Sequence, residues 1–264
     1  MPLAMSSSSE DSLSIASLGS SSDASSDTSS DTFEEVSSRQ CRRAFYFIGS
    51  AGDWAPSSSR KKLSQRHRAG DFLDEVYDDW LEISKELKQK RWEVLGASIS
   101  VGTAAQRQEE LRKLQSFADK SGYAVKLLYY SGHGSKGSGD WIFEGGEVRL
   151  QDVLDVFARS EKCRRIAHGG WHAPSGLKNL ILVADCCYAG QWARQLQKVQ
   201  ERNLKFAVTL VFASGASTYA IDGLLRKALL KGEDSKPMRK LAYRQAGVVW
   251  LSPAGQLVQK DLDD

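Results

Sequence analysis

The segment that most constrains this chain runs from Leu177 to Gly190 and reads LKNLILVADCCYAG. Leu180 to Ala184 is an apolar run with Ile and Val, long enough for a buried strand and too short for a helix. It stops at Asp185-Cys186-Cys187, and Tyr188-Ala189-Gly190 follow. A buried strand that ends in nucleophilic residues before a small-residue turn presents a reactive group at the edge of a sheet. In open α/β sheets, ligands sit in the crevice outside the carboxyl ends of the strands. Cys187 is therefore the candidate nucleophile.

The remaining pattern alternates strands with helices. Ala44–Ile48, Trp92–Ser100, Ala124–Tyr130, Leu177–Ala184, Phe206–Ala213 and Gly247–Leu251 read as strands. Trp141–Phe143 and Glu147–Leu150, split by Gly145-Gly146, read as a small hairpin. Asp71–Lys90 predicts an amphipathic helix with Leu73, Val76, Tyr77, Trp80, Ser84 and Leu87 on one face, Asp71 as its cap and charges that suit the helix dipole. Thr103-x-x-Gln106 has the form of a capping box opening a second helix, with Leu111, Leu114 and Phe117 inward. Further helices are expected over Asp152–Arg159, Trp192–Arg202 and Ile221–Lys231. The expected fold is α/β, a mainly parallel β-sheet with helices on both faces.

Charge separates off the first 40 residues. They hold seven acids (Glu10, Asp11, Asp23, Asp27, Asp31, Glu34, Glu35) and one base, Arg39, in a chain with 33 acids and 36 bases. Residues 1–40 are Ser-rich and nearly free of large apolar side chains. They cannot bury enough surface to offset chain entropy and are expected to be disordered. Acids around Ser20–Asp23 suit an acid-directed kinase as well as a plain solvated tail. Residues 41–264 then form one domain. Their basic charge is dispersed on helices, where a nucleic-acid surface would need a patch with interleaved aromatics. No apolar run approaches the ~20 residues of a membrane span, and no secretory signal is recognisable. Four cysteines, two of them adjacent, make no disulfide framework, so reduced thiols in the cytoplasm are expected.

A thiol at its ordinary pKa is only a few per cent thiolate at neutral pH and needs a base or cation beside it. Of the four histidines, His67 lies in a basic loop, and His168 and His172 lie in a Gly-rich one. Only His133 sits at the end of an expected buried strand, in Tyr130-Ser131-Gly132-His133-Gly134. Cys163, His168 and His172 match no common zinc spacing with Cys186 or Cys187, and Gly49-Ser50-Ala51-Gly52 lacks the Lys and Ser/Thr of a phosphate loop.

These two strand ends together resemble the caspase/metacaspase family of cysteine peptidases, and the metacaspase form more closely. Tyr-Ser-Gly-His-Gly is matched in full at 130–134, and Asp-x-Cys-x-Ser-Gly is matched at 185–190 except that Ala189 stands for Ser. The resemblance spans roughly Cys41 to Val258. It implies a caspase-like fold and a cysteine endopeptidase with His133 and Cys187 as its catalytic dyad. The backbone N–H groups of Gly134 and Cys187 would form the oxyanion hole. Asp185 would lie at the floor of the first specificity pocket with Ser131 on its wall, so protein or peptide substrates would be cut after Arg or Lys. Metacaspases commonly add a second pocket acid from the first helix region, where Asp71 is near in sequence, and many require calcium. No acidic calcium cluster is recognisable here. Arg194, Lys198, Arg202 and Lys205 offer basic sites for self-cleavage after the nucleophile, or else belong to an uncut helix. Ala189 and the short C-terminal part also admit a catalytically degenerate scaffold or interaction module.

Overall fold

The computed structural model describes residues 42–50, 69–100, 106–143, 145–167, 176–199, 204–220, 223–231 and 246–261. The expectations for residues 1–40, for Cys41, His67, His168 and His172, and for most of the basic loop lie outside these residues. In chain order the elements are β1 (Arg43–Ser50), α1 (Ala69–Gln89), β2 (Glu93–Ser100), α2 (Arg107–Asp119), β3 (Val125–Gly132), β4 (Trp141–Phe143), β5 (Gly146–Val148) and α3 (Leu150–Ala167). They continue with β6 (Asn179–Cys186), α4 (Gly190–Val199), β7 (Ala207–Phe212), α5 (Leu224–Lys231), β8 (Gly247–Leu251) and β9 (Leu257–Asp261).

Among the described residues, seven strands form one sheet in the order β2-β1-β3-β6-β7-β8-β9, and β4 and β5 form a separate antiparallel hairpin. β2, β1, β3, β6 and β7 run parallel. β8 and β9 are antiparallel additions at one edge. The fold is α/β with a mainly parallel sheet, and helices cover both faces.

The strand pleat divides the core. On one face Leu128 and Tyr130 of β3 and Leu182, Ala184 and Cys186 of β6 pack with Leu114 and Phe117 of α2, Leu154 and Phe157 of α3, and Trp192 and Leu196 of α4. On the other face Tyr129 and Val183 pack with Phe45 and Phe47 of β1, Val76 and Ile83 of α1, and Leu224, Leu225 and Ala228 of α5. Each fully buried Leu or Phe contributes roughly 1.5–3 kcal/mol. Continuous apolar runs are what a parallel strand covered on both faces requires.

The structure corrects the reading of α1 and α2. α1 begins at Ala69, so Asp71 lies inside its first turn and does not cap it. Tyr77 is 52% exposed, whereas Asp79 is 1% exposed and shares the inward face with Val76 and Ile83. A carboxylate replaces an aromatic ring on that face because polar partners meet it there. α2 begins at Arg107 with Gln106 itself at the N-cap and no side-chain cap bond, whereas the expected capping box put Gln106 inside the first turn; its Thr103 lies outside the described residues. Glu109 and Glu110 in the first turn supply the negative charge the dipole favours.

Candidate active site

Parallel pairing of β3 with β6 aligns the two motifs. Ser131 pairs with Asp185 and Gly132 with Cys186, so His133-Gly134 and Cys187 leave adjacent strands at the same level. The approach is closest at Gly134, where a Cβ would strike the Cys187 carbonyl oxygen and come within 3.1 Å of the Cys186 sulfur. Glycine is thus required by space. Gly134 forms an isolated antiparallel bridge with Trp141. The bonds flanking that bridge run from Ile142 N–H to the His133 carbonyl (3.1 Å) and from Ser135 N–H to the Asp140 carbonyl (2.9 Å). The Gly134 N–H takes no part in them.

The His133 carbonyl also accepts a 2.8 Å hydrogen bond from the Tyr130 hydroxyl. Tyr130 is fully buried and stacks on Trp141, with ring centroids 4.5 Å apart. Its pKa is pushed well above the ordinary phenol range, first by burial and then by the nearby Cys186 thiol. It remains a protonated donor, and the residue that anchors the His133 backbone is itself fixed by packing.

The two sulfurs differ. Cys186 is buried, and desolvation followed by the Asp185 charge pushes its pKa well above the ordinary thiol value. It is a core thiol. Cys187 begins the turn beyond β6 and is half-buried. Tyr188, next in the chain, has a φ of 60°, a left-handed conformation that a bulky residue rarely adopts. The turn is tied to the loop after β7. Ser214 Oγ donates to the Cys186 carbonyl (2.9 Å) and accepts from Ala189 N–H (3.2 Å). The Ser214 carbonyl accepts from Gly190 N–H (2.8 Å), and the Thr218 carbonyl accepts from Tyr188 N–H (2.9 Å). Ala189 lacks a hydroxyl; the buried Ser214 hydroxyl bridges both ends of the turn.

Asp185 and Ser131 come together as neighbours in register, and the structure adds residues the sequence reading missed. The Tyr129 hydroxyl donates to Asp185 Oδ2 at 2.7 Å. The Ser131 hydroxyl donates to Asp79 Oδ2 at 2.9 Å. Asp79 Oδ1 lies 3.0 Å from Nε of Arg226 on α5, and Glu82 Oε2 lies 3.4 Å from the same nitrogen. Asp79, Ser131, Asp185 and Arg226 are each less than 8% exposed. Burial first, then both aspartates, raise the Tyr129 pKa well above the phenol range, while Arg226 pulls it down. One phenol, two carboxylates and one guanidinium therefore share an environment at the ends of β3 and β6. Asp71 belongs to α1, but its side chain is not among those described; with Glu82 at the exposed margin, Asp79 is the buried α1 acid seen in this cluster. Its signal in the sequence was its helical spacing from Val76 and Ile83, which marks an inward position.

Among the described residues, no three His, Cys, Asp or Glu side chains gather as a metal site would require. Cys163 lies in α3 with its side chain outside the described set. No helix among the described residues is long and apolar enough to cross a membrane. Comparison with protein-family models finds no matching family, and comparison with curated proteins finds no match.

Proposed function

We propose that this chain is a caspase/metacaspase-like cysteine endopeptidase that works in the reducing cytoplasm and cuts after Arg or Lys. The observation that carries the reading is the β3–β6 register, which places His133-Gly134 against the Cys187 turn. In this mechanism the His133 imidazole takes the Cys187 thiol proton. The thiolate attacks the scissile carbonyl, and the resulting oxyanion receives the N–H groups of Gly134 and Cys187. His133 returns the proton to the leaving amine. Water, deprotonated by the same imidazole, then hydrolyses the thioester. The Gly134 N–H lies outside the Trp141 bridge, which leaves it available for that oxyanion. The strained Tyr188 backbone supports a functional turn, since such strain persists only where surrounding bonds hold it.

The specificity side rests on charge. Asp185, with Ser131 beside it and Asp79 behind Ser131, makes the strand ends acidic and suits a basic side chain over an acidic one. A scaffold without catalysis is the alternative that Ala189 and the short C-terminal part raise; the Ser214 hydroxyl, which bonds both ends of the same turn, supports the catalytic reading without excluding the scaffold. The test is cleavage of a peptide library by the wild-type chain beside Cys187→Ala, with and without calcium. Cleavage after Arg or Lys that disappears in Cys187→Ala is expected. Cleavage after Asp, or equal turnover by both proteins, would sink the assignment. Calcium-dependent turnover would reveal an ion requirement.

A further inference from the structure

We infer that Asp140 is a positioning residue for the His133 segment, anchored to α4 by the Trp192 indole. Its biological sense rests on the peptidase reading, but the anchor itself is a matter of how the segment is held. Asp140 closes the loop that leaves His133 and returns to β4. Its carbonyl accepts from Ser135 N–H at 2.9 Å, and the Ser135 carbonyl accepts from Gly139 N–H at 2.8 Å. Ile142 N–H then reaches the His133 carbonyl at 3.1 Å. The Asp140 carboxylate ties this closed loop to α4. Its Oδ1 accepts from Trp192 Nε1 at 3.1 Å, and both residues are buried. One turn further along α4, Gln195 Nε2 donates to the Ser138 carbonyl at 2.9 Å.

Satisfying a buried indole does not by itself require Asp140. Trp141 stacks on Trp192 with ring centroids 4.6 Å apart and is equally buried, yet its Nε1 finds no hydrogen-bond partner among the described residues. This core therefore tolerates an unpaired indole N–H, but it buries a carboxylate against Trp192. Burial pushes the Asp140 pKa up, and the Ser138 and Trp192 bonds pull it back. A carboxylate is a costly way to fill space. Apolar contact is non-directional, whereas a hydrogen bond to a charged acceptor is short and sets an angle.

The angle matters because the loop lies along the nucleophile turn. A Cβ at Gly134 would strike the Cys187 carbonyl oxygen, and a Cβ at Gly139 would strike the Tyr188 carbonyl oxygen. The two ends of the loop thus rest on consecutive peptides of that turn. α4 starts at Gly190, where the turn ends, and its Gln191 Nε2 donates to the Ala216 carbonyl at 2.9 Å. One short helix therefore holds the loop after the base and the loop after β7, which is itself bonded to the nucleophile turn. Asp140 acts on this geometry through the backbone of its loop, and a shift of about 1 Å between reacting groups can cost roughly 10²-fold in rate.

Steady-state cleavage of an Arg-ending peptide, normalised to folded protein, tests this together with amide exchange at Ser135, Gly139 and Ile142. Trp192→Phe keeps a ring and loses the donor, and Asp140→Ala loses the acceptor. Each is expected to lower kcat on the order of tenfold or more, with KM within about twofold, and to speed exchange at the three amides. Asp140→Asn keeps an acceptor oxygen and should stay within a few-fold of wild type. The double variant Asp140→Ala/Trp192→Phe should be no worse than the worse single one, because both remove the same bond. Full kcat in folded Trp192→Phe, or Asp140→Asn as impaired as Asp140→Ala, overturns the inference. If neither Trp192→Phe nor Asp140→Ala folds, exchange in the wild-type chain decides. The Trp192 indole N–H should then be protected as well as the Ser135 and Ile142 amides, and an indole that opens far more often than both overturns the inference. A wild-type chain that cleaves no peptide would remove the peptidase reading, and the exchange rates alone would uphold or overturn the anchor. Cys187-dependent cleavage after Arg, with kcat and exchange unchanged in Trp192→Phe, would keep the peptidase and remove the anchor.

Discussion

At the end of β6 the two faces of the sheet hold different chemistry within three consecutive residues. Cys186 points into the larger core with Tyr130, Trp141 and Trp192, where few charges approach. Asp185 points to the other face, where Tyr129, Asp79 and Arg226 form a buried polar group. Cys187 follows on the turn, half-exposed. The strand pleat alone makes this division, since successive side chains leave a strand on opposite faces. Two adjacent cysteines thereby become a packing thiol and a candidate nucleophile without any difference in residue type.

The widest separation should come from removing each sulfur in turn. Cys187→Ala is expected to reduce alkylation by an arginine-directed electrophile, read by mass spectrometry of the labelled peptide, on the order of 10³-fold or more. Cys186→Ala should leave that labelling within a few-fold. Its penalty is in stability, because truncating a buried side chain leaves a small cavity. Equal labelling of the two sulfurs, or loss of labelling in Cys186→Ala with the fold intact, would erase the distinction between the faces.

The adjacent tyrosines sharpen the same contrast at a smaller scale. Tyr129→Phe removes the donor to Asp185, a hydrogen bond to a charged group of roughly 1.5–3 kcal/mol. It should raise KM for Arg-ending peptides tenfold or more while kcat changes less. Tyr130→Phe removes one of two donors to the His133 carbonyl, a neutral bond of about 1 kcal/mol. It should lower kcat several-fold with KM nearly unchanged. If both variants moved the same constant, the division of labour between faces would be wrong.

Much of this arrangement was legible in the sequence, and what was missed has physical causes. The β6 run and the Tyr-Ser-Gly-His-Gly end of β3 announced themselves, because buried parallel strands are continuous apolar runs and the glycines mark close approach. The expectation that Cys186 is a packing residue agrees with its burial, while Cys187 stays half-buried. Asp79 was hidden because apolar periodicity assigns acids to the wet face of a helix, whereas here the strand-end Ser131 and Arg226 help make an inward carboxylate tolerable. The same rule placed Tyr77 inward, but the ring faces solvent. β9 was overlooked because Leu257–Asp261 is two apolar residues followed by three polar ones, neither an alternating nor a continuous apolar run, and it gains its place by pairing with β8, which lies just before it across a short turn.

The smallest expected effect isolates the buried thiol by pH. The Cys186 pKa is raised in the folded chain, so the folded state holds its proton at pH values where the unfolded thiol has lost it. Stability falls with rising pH wherever the native state binds more protons than the unfolded state. The Cys186 contribution is therefore full below the unfolded thiol's pKa of about 8.5 and is lost as pH rises from there toward the folded value. One pH unit above that lower limit the loss is about 1 kcal/mol. Tyr129 and Tyr130, also raised, act in the same direction but only above about pH 10, where free phenols ionise. Denaturant unfolding from pH 8 to pH 9.5 thus reads the thiol before the phenols contribute. Wild type should lose about 1 kcal/mol more over that interval than Cys186→Ala. Identical slopes would mean that the sulfur on the apolar face exchanges its proton as freely as an exposed one, and the protection attributed to that face would be absent.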